Sequence, residues 1–215
     1  VTMAWSAEYQ TAWFDNRNGI LTVEPLLETE SRTLASAKKL TGEGEGSYPL
    51  AWTFGLNGSG VVVGVADTGI DSDHSCFRNI SSSSIGSEHR KLLHVNTTID
   101  DWDSSGHADY RHGTHTAGIL GCHPVDTAIG DVVPSGLMAL GYDSRLVVQD
   151  IVSEEGWVPP DVDLLLAESA MYGGFIHSNS WGDDTTDYTL RSGDFDAFSR
   201  EFPWTLPLIA PGNNG

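Results

Sequence analysis

The chain has 215 residues, 39% of them hydrophobic, enough for one sizeable core or a core with a short appendage. Its formal net charge is −19 and its only lysines are Lys38, Lys39 and Lys91, a balance that excludes a phosphate-reading nucleic-acid surface and suits a strongly solvated one. No stretch of about eighteen apolar residues is present, which excludes a membrane-spanning helix.

In chain order, Ile20–Pro25 predicts a short strand ended by proline, residues 33–40 a short helix, and 42–47, rich in glycine and glutamate, a flexible joint. From Gly60 strands and helices alternate. Residues 60–67 form an apolar run of strand length, the mark of a parallel strand covered on both faces. The Ser-, Asp- and His-rich stretch 72–111 predicts surface loops around one strand near Lys91–Val95. His112–Leu120 reads as a helix of small residues and 145–151 as a strand. Residues 161–172 read as a helix with Asp161 as N-cap and Gly173 as C-cap. Residues 175–179 read as a strand, 195–202 as a helix, and 206–210 as a last strand. Such alternation implies an α/β fold on a parallel sheet, with sites gathered at the carboxyl ends of the strands, where Asp67, Ser180 and Asn213 fall.

Two residues stand in contexts that suit acid–base chemistry. Asp67 closes the apolar strand within Asp67-Thr68-Gly69-Ile70-Asp71, and His112 opens the helix His112-Gly113-Thr114-His115-Thr116-Ala117-Gly118. A serine hydroxyl is a poor nucleophile until a histidine takes its proton, and the histidine needs a buried carboxylate to fix its tautomer. Alone, an Asp after an apolar strand is more often a turn or cap residue, and a lone His is discounted alike; together, in these two contexts, they read as two members of a triad.

These motifs resemble the aspartate and histidine motifs of the subtilisin-like serine proteases, the subtilases (peptidase S8 family). Ser178-Asn179-Ser180-Trp181-Gly182 is similar to the family's substrate-binding strand, and Ala210-Pro211-Gly212-Asn213-Asn214-Gly215 to its oxyanion segment. Motif style is nearest the large alkaline, oxidation-resistant branch. The resemblance covers about residues 50–215 and implies a three-layer α/β/α fold with a parallel central sheet, truncated here. It implies Asp67 and His112 as catalytic residues, Asn213 as oxyanion donor, and Ser180, Trp181 and Gly182 as substrate-binding residues. The same Gly-Asn-Asn-Gly run is also a turn signature. His115 is expected to pack beneath the helix start and His177 to be a structural strand residue. Arg111 stands where the family has glycine, Pro211 replaces a small residue, and Trp181 replaces leucine, which is expected to reshape the wall between substrate pockets.

Two cysteines leave free thiols and one bridge equally open. Within the resemblance, Cys76 and Cys122 flank segments that hold calcium in many relatives, so a Cys76–Cys122 disulfide is expected to replace that ion as a clamp. No metal ligand is assigned and catalysis needs no cofactor, while structural calcium elsewhere in a full-length protein stays open. Sequons begin at Asn57, Asn79 and Asn96. Residues 1–46 read as an N-terminal extension, with Ile20–Pro25 resembling the end of a propeptide and serving as the enzyme's own inhibitor; 47–215 read as the N-terminal portion of the catalytic domain. The chain opens at Val1 without a basic-then-apolar leader, so any signal peptide is expected upstream or already removed, in keeping with a secreted, extracellular protein.

The family nucleophile lies in a Gly-Thr-Ser segment, and none occurs here. The expectation is therefore a serine endopeptidase acting on peptides or proteins, whose serine lies beyond this chain, leaving the fragment inactive. The alternatives are a pseudoprotease or binding module of the same fold, an aspartic protease built on Asp67-Thr68-Gly69, for which no second such triplet exists, and a metallohydrolase using His112, His115 and His107 or Asp109.

Overall fold

The computed structural model describes residues 29–31, 50–80, 84–99, 103, 107–126, 131–132 and 138–213. The strand expected over 20–25, the helix over 33–40 and the joint over 42–47 lie outside them. Five parallel strands form the centre: β2 (Val62–Asp67), β3 (Leu92–Asn96), β6 (Arg145–Asp150), β9 (Ile176–Asn179) and β11 (Leu206–Ile209). Their order is β11-β9-β2-β6-β3. β2 stands in the middle with β6 on one side and β9 on the other, so its carboxyl end opens at the point where the chain switches sides.

Alternation along β2 sends side chains to two different layers. Val63 and Val65 pack with Leu92, Leu146, Val148 and Ala117, the last on α2 (His112–Gly121). Ala66 packs with Leu165 of α3 (Val162–Met171), Ile151, Val152 and Trp181. Gly64 lets α3 come close: a Cβ there would stand 2.3 Å from Ser169 Oγ. A second helix, α4 (Leu190–Glu201), lies on the same side and joins α3 through Val162, Leu166, Phe195 and Phe198. The result is the three-layer α/β/α arrangement with a parallel central sheet.

The α4 helix begins at Leu190, five residues before the expected start, because Thr189 caps it reciprocally with Ser192. Asp161 sits at the N-cap of α3 without a side-chain capping bond. Two ribbons, β4–β5 (Val125–Asp126, Asp131–Val132) and β7–β8 (Val152–Ser153, Gly156–Trp157), and a helical turn α1 (Leu50–Thr53) lack an expectation, and strand β10 (Trp181–Asp183) falls in the segment likened to a substrate-binding strand. β10 pairs antiparallel with β1 (Thr29–Ser31), Glu30 opposite Gly182 and Ser31 opposite Trp181. At the sheet's outer edge β11 leaves Leu206, Leu208 and Ile209 exposed, flanked by exposed Phe175 and Trp204.

Cys76 and Cys122 form a disulfide, both half-cystines buried in the layer between the sheet and α2. Around it the Arg90 guanidinium donates to the carbonyls of Arg78 (2.6 Å), His123 (2.9 Å), Cys76 (3.0 Å) and Ser75 (3.2 Å). The bridge thus ties the segment after β2 to the end of α2. Nearby, buried Lys91 donates from Nζ to the carbonyls of Tyr142 (2.8 Å) and Ser144, and burial pushes it down to about 7.

Two stability predictions follow from this region. The bridge closes a 46-residue separation, for which chain entropy gives about 4 kcal/mol, so C76S/C122S should lower the unfolding free energy by roughly that amount in urea titrations. Between about 7 and the ordinary lysine value of 10.5 the unfolded chain holds a proton on Lys91 that the folded chain lacks. Stability contributed at this site therefore rises with pH across that window. Lys91→Met should remove the rise, read as urea midpoints at pH 7 and 9.

Candidate active site

A carboxylate at the end of a strand buried on both faces pays a large desolvation penalty unless donors meet it. Asp67 is 0% exposed and is met by three. Its Oδ1 accepts from the Thr68 backbone N–H (2.8 Å) and lies 2.7 Å from His112 Nδ1, and its Oδ2 accepts from Thr116 Oγ1 (3.2 Å). Because a carboxylate only accepts, Nδ1 of His112 carries the hydrogen, and Nε2 is the nitrogen that takes up a proton. Burial pushes the Asp67 carboxyl up from its ordinary value, and the bonds from His112, Thr68 and Thr116 offset part of that. Burial pulls the His112 imidazole down, but the Asp67 bond and charge, with the charges of Asp109 and Asp103, outweigh it and hold the ring above its ordinary value. A charged Asp67 beside an imidazole with raised basicity is the direction the three donors favour.

The helix start that carries His112 is built against the Asp67 loop. Gly113 allows the approach: a Cβ there would stand 2.2 Å from the Gly69 carbonyl. Its N–H donates to Thr68 Oγ1 (2.7 Å). Arg111 occupies the N-cap in the left-handed region (φ 68°), with no side-chain cap of its own. That conformation explains why glycine suits this position. The cap is supplied from a distance by Asp103, 3% exposed, which accepts from Arg111 N, Thr114 N (3.0 Å), Thr114 Oγ1 and Thr68 Oγ1 (2.8 Å). Sequence reasoning missed Asp103, which sits in an Asp- and Ser-rich stretch read as loop and is not distinguished there from Asp101 or Asp109.

The other expected site residues fall in different places. Residues 177, 179 and 181 are buried while 178, 180 and 182 are half-exposed. Trp181 is therefore turned inward, 2% exposed, donating from Nε1 to the Ala66 carbonyl (3.0 Å) beside Asp67. Its ring lies under Trp157 (6.5 Å) and beneath the Arg191 guanidinium, so it is core rather than the pocket wall expected of it. The signal was the strand's two-residue period, which aims Trp181 with His177 and Asn179. Ser180 and Gly182 offer the outward face and the main chain. Asn213 is exposed, four residues beyond the end of β11. His115, expected to pack beneath the helix start, is exposed, whereas His177 is buried against Gln149 (2.8 Å), with burial lowering it to about 4. Among the described residues no group of three His, Cys, Asp or Glu has metal-binding geometry. Of the sequon asparagines, Asn96 donates its amide to both Glu168 oxygens (2.7 and 2.8 Å) and Asn57 donates to Tyr142 Oη (3.1 Å).

Arg111 gives a test of the local geometry. Glycine adopts φ near 68° without the Cβ penalty that arginine carries, so Arg111→Gly should stabilise the fold by about 0.5–1 kcal/mol in urea unfolding. A loss of stability would show that the arginine side chain, not the backbone, dominates this position.

Comparison with known proteins bears on this geometry. The chain is 29% identical over 170 residues to the serine protease/ABC transporter B family protein tagB of Dictyostelium discoideum, covering 74% of the chain and 9% of that protein. It is 28% identical over 202 residues to the subtilisin-like protease PopC of Myxococcus xanthus, covering 86% of the chain and 40% of PopC. The chain thus spans less than half the length of these relatives. Its fold is shared with the CspB protease of Clostridium perfringens (TM-score 0.52, 19% identity, covering 75% of this chain and 37% of that one). It is shared too with fervidolysin from Fervidobacterium pennivorans (TM-score 0.52, 20% identity, covering 79% and 24%). Residues 58–215 match the model of the subtilase family (peptidase S8), and with the aspartate and histidine motifs brought together at the end of the central strand, the chain belongs to that family.

Proposed function

We propose that this chain carries the Asp–His part of a serine endopeptidase site, with Asp67 as the orienting carboxylate, His112 as general base and Asn213 as oxyanion donor. The observation that carries the reading is the 2.7 Å contact from Asp67 Oδ1 to His112 Nδ1, which leaves Nε2 as the proton acceptor. In this reading the nucleophilic serine belongs to the parent protein outside these 215 residues, and the chain alone does not cleave peptides. The exposed apolar edge at β11 is in keeping with a further strand of the parent covering Leu206, Leu208 and Ile209. The chemistry requires no cofactor, and the Cys76–Cys122 bridge stands where the resemblance places a calcium clamp in relatives. A buried disulfide also favours a secreted or extracellular site of action. Among the described residues no helix is long and apolar enough to cross a membrane.

Peptide substrates would bind by adding a strand to β10, whose Trp181 side chain reaches the Ala66 carbonyl beside Asp67. The antiparallel pairing of β1 with β10 supports this, because it is the geometry a bound peptide would adopt. Residues 1–46 then form a propeptide-like extension ahead of the catalytic portion, and Thr29–Ser31 within it supplies the self-inhibiting strand.

The parent protein should be labelled by a fluorescent serine-directed phosphonate. Asp67→Asn should cut kcat by about 10⁴-fold, His112→Ala by a comparable factor, and Asn213→Ala by about a hundredfold or more. A parent that folds but takes up no label is a pseudoprotease or binding module, and the peptidase reading fails. A synthetic peptide of residues 22–32 should inhibit the processed enzyme competitively; absence of inhibition at millimolar peptide removes the propeptide reading.

A further inference from the structure

Four hydrogen bonds converge on one buried carboxylate that the proposed chemistry does not use. Asp103 Oδ1 accepts from Thr68 Oγ1 (2.8 Å) and the Arg111 N–H, and Oδ2 accepts from the Thr114 N–H (3.0 Å) and Thr114 Oγ1. All four partners donate, so both oxygens of Asp103 act as acceptors. Thr68 follows Asp67 directly, while Arg111 and Thr114 lie on either side of His112. The two hydroxyls that donate to Asp103 also accept: Thr68 Oγ1 from the Gly113 N–H (2.7 Å) and Thr114 Oγ1 from the Asp71 N–H (2.8 Å). Asp103 therefore orients both hydroxyls, and each of them stitches the Asp67 loop to the His112 helix.

The helix start needs this help. Its N-cap residue is left-handed Arg111, which makes no side-chain cap bond, so the N–H groups of Arg111 and Thr114 find their anion in Asp103, while those of His112 and Gly113 go to the Asp109 carbonyl and to Thr68 Oγ1. A negative charge at a helix N-terminus is favourable as well as a bond acceptor. Asp67 ends a strand and His112 begins a helix, and Asp103, which belongs to neither segment, is bonded to both.

We propose that Asp103 is a positioning residue of the catalytic site, which locks the Asp67 loop and the His112 helix start in one register so that Nδ1 stays on the carboxylate. It acts through Thr68, Arg111 and Thr114 and does not touch substrate. The proposal rests on the peptidase reading for its kinetic consequences, but its structural consequence does not. Misplacement of a catalytic group by on the order of 1 Å costs about a hundredfold. An asparagine at 103 keeps the shape but turns an NH₂ toward two of four donors, so it leaves at least one of them unmet.

The test uses three variants: Asp103→Asn, Thr68→Val, which removes one stitch and keeps the Asp103 charge, and Asp103→Glu as a partial rescue. In the parent protein, with active sites counted by phosphonate labelling, Asp103→Asn and Thr68→Val should lower kcat by roughly ten- to a hundredfold with KM changed by less than about threefold. Asp103→Glu should recover part of the loss. The groups facing His112 are Asp67, Asp109, Asp103 and the neighbouring Arg111. Removing the Asp103 charge should move the acid limb of kcat/KM to lower pH, while Thr68→Val should leave the limb in place. In the 215-residue chain, the hydrogen-bonded Nδ1–H proton resonance of His112 should broaden or vanish in Asp103→Asn and Thr68→Val, although the fold melts as a single transition. If both variants keep the wild-type kcat per labelled site and the His112 resonance, Asp103 is only structural and the proposal is overturned. If the wild-type parent takes no label, the peptidase reading fails, and the resonance alone decides the role of Asp103.

Discussion

The buried bond between Asp67 and His112 constrains everything around it. A carboxylate removed from water at the end of a central strand is tolerable only where donors converge. The chain gathers them from three places: the Thr68 backbone, the Thr116 hydroxyl one turn into α2, and the His112 ring. Meeting that demand dictates close approach of α2 to the loop after β2. This is why Gly113 has no room for a Cβ, and why Thr68 and Thr114 have hydroxyls rather than methyl groups at the seam. The Cys76–Cys122 bridge and the Arg90 fork hold the far ends of the same two segments together. The site is fastened at both ends of α2, by a carboxylate at its start and a disulfide just past its finish.

Much of this could be read from the chain before any coordinates. The apolar run ending in Asp67 could only be a covered parallel strand, and its length and two-sided burial are as expected. The small residues after His112 likewise announced a helix packed tightly at its start. What escaped has identifiable reasons. Asp103 bonds residues 35 positions behind it and 11 ahead, and no local pattern separates it from the other aspartates of its loop. The beginning of α4 was hidden because Gly193 and Asp194 depress helix propensity, and its cap uses a serine where glutamate is the familiar signal. Trp181 was placed in a pocket wall by analogy with leucine, although the alternation through His177 and Asn179 already turned it to the core.

In the proposed reading, β10 is the strand that accepts a peptide. β10 has half-exposed Gly182 at its centre and half-exposed Ser180 just before it, while Trp181 anchors the strand from within. Strand addition gives affinity through backbone bonds that do not depend on side-chain identity. In the proposed reading, Thr29–Ser31, which pairs with that strand, would couple access to the site with removal of the segment.

The central claim, a preformed Asp–His pair in which the carboxylate holds and polarises the ring, is tested most directly by an NMR titration of His112 in the 215-residue chain and in its Asp67→Asn variant. The account predicts that the imidazole titrates above its ordinary value of 6.5 in the native chain and falls to a clearly lower midpoint in Asp67→Asn, where the Asp67 bond and charge no longer oppose burial and only the charges of Asp109 and Asp103 remain. The same midpoint in both proteins, at or below 6.5, would contradict it.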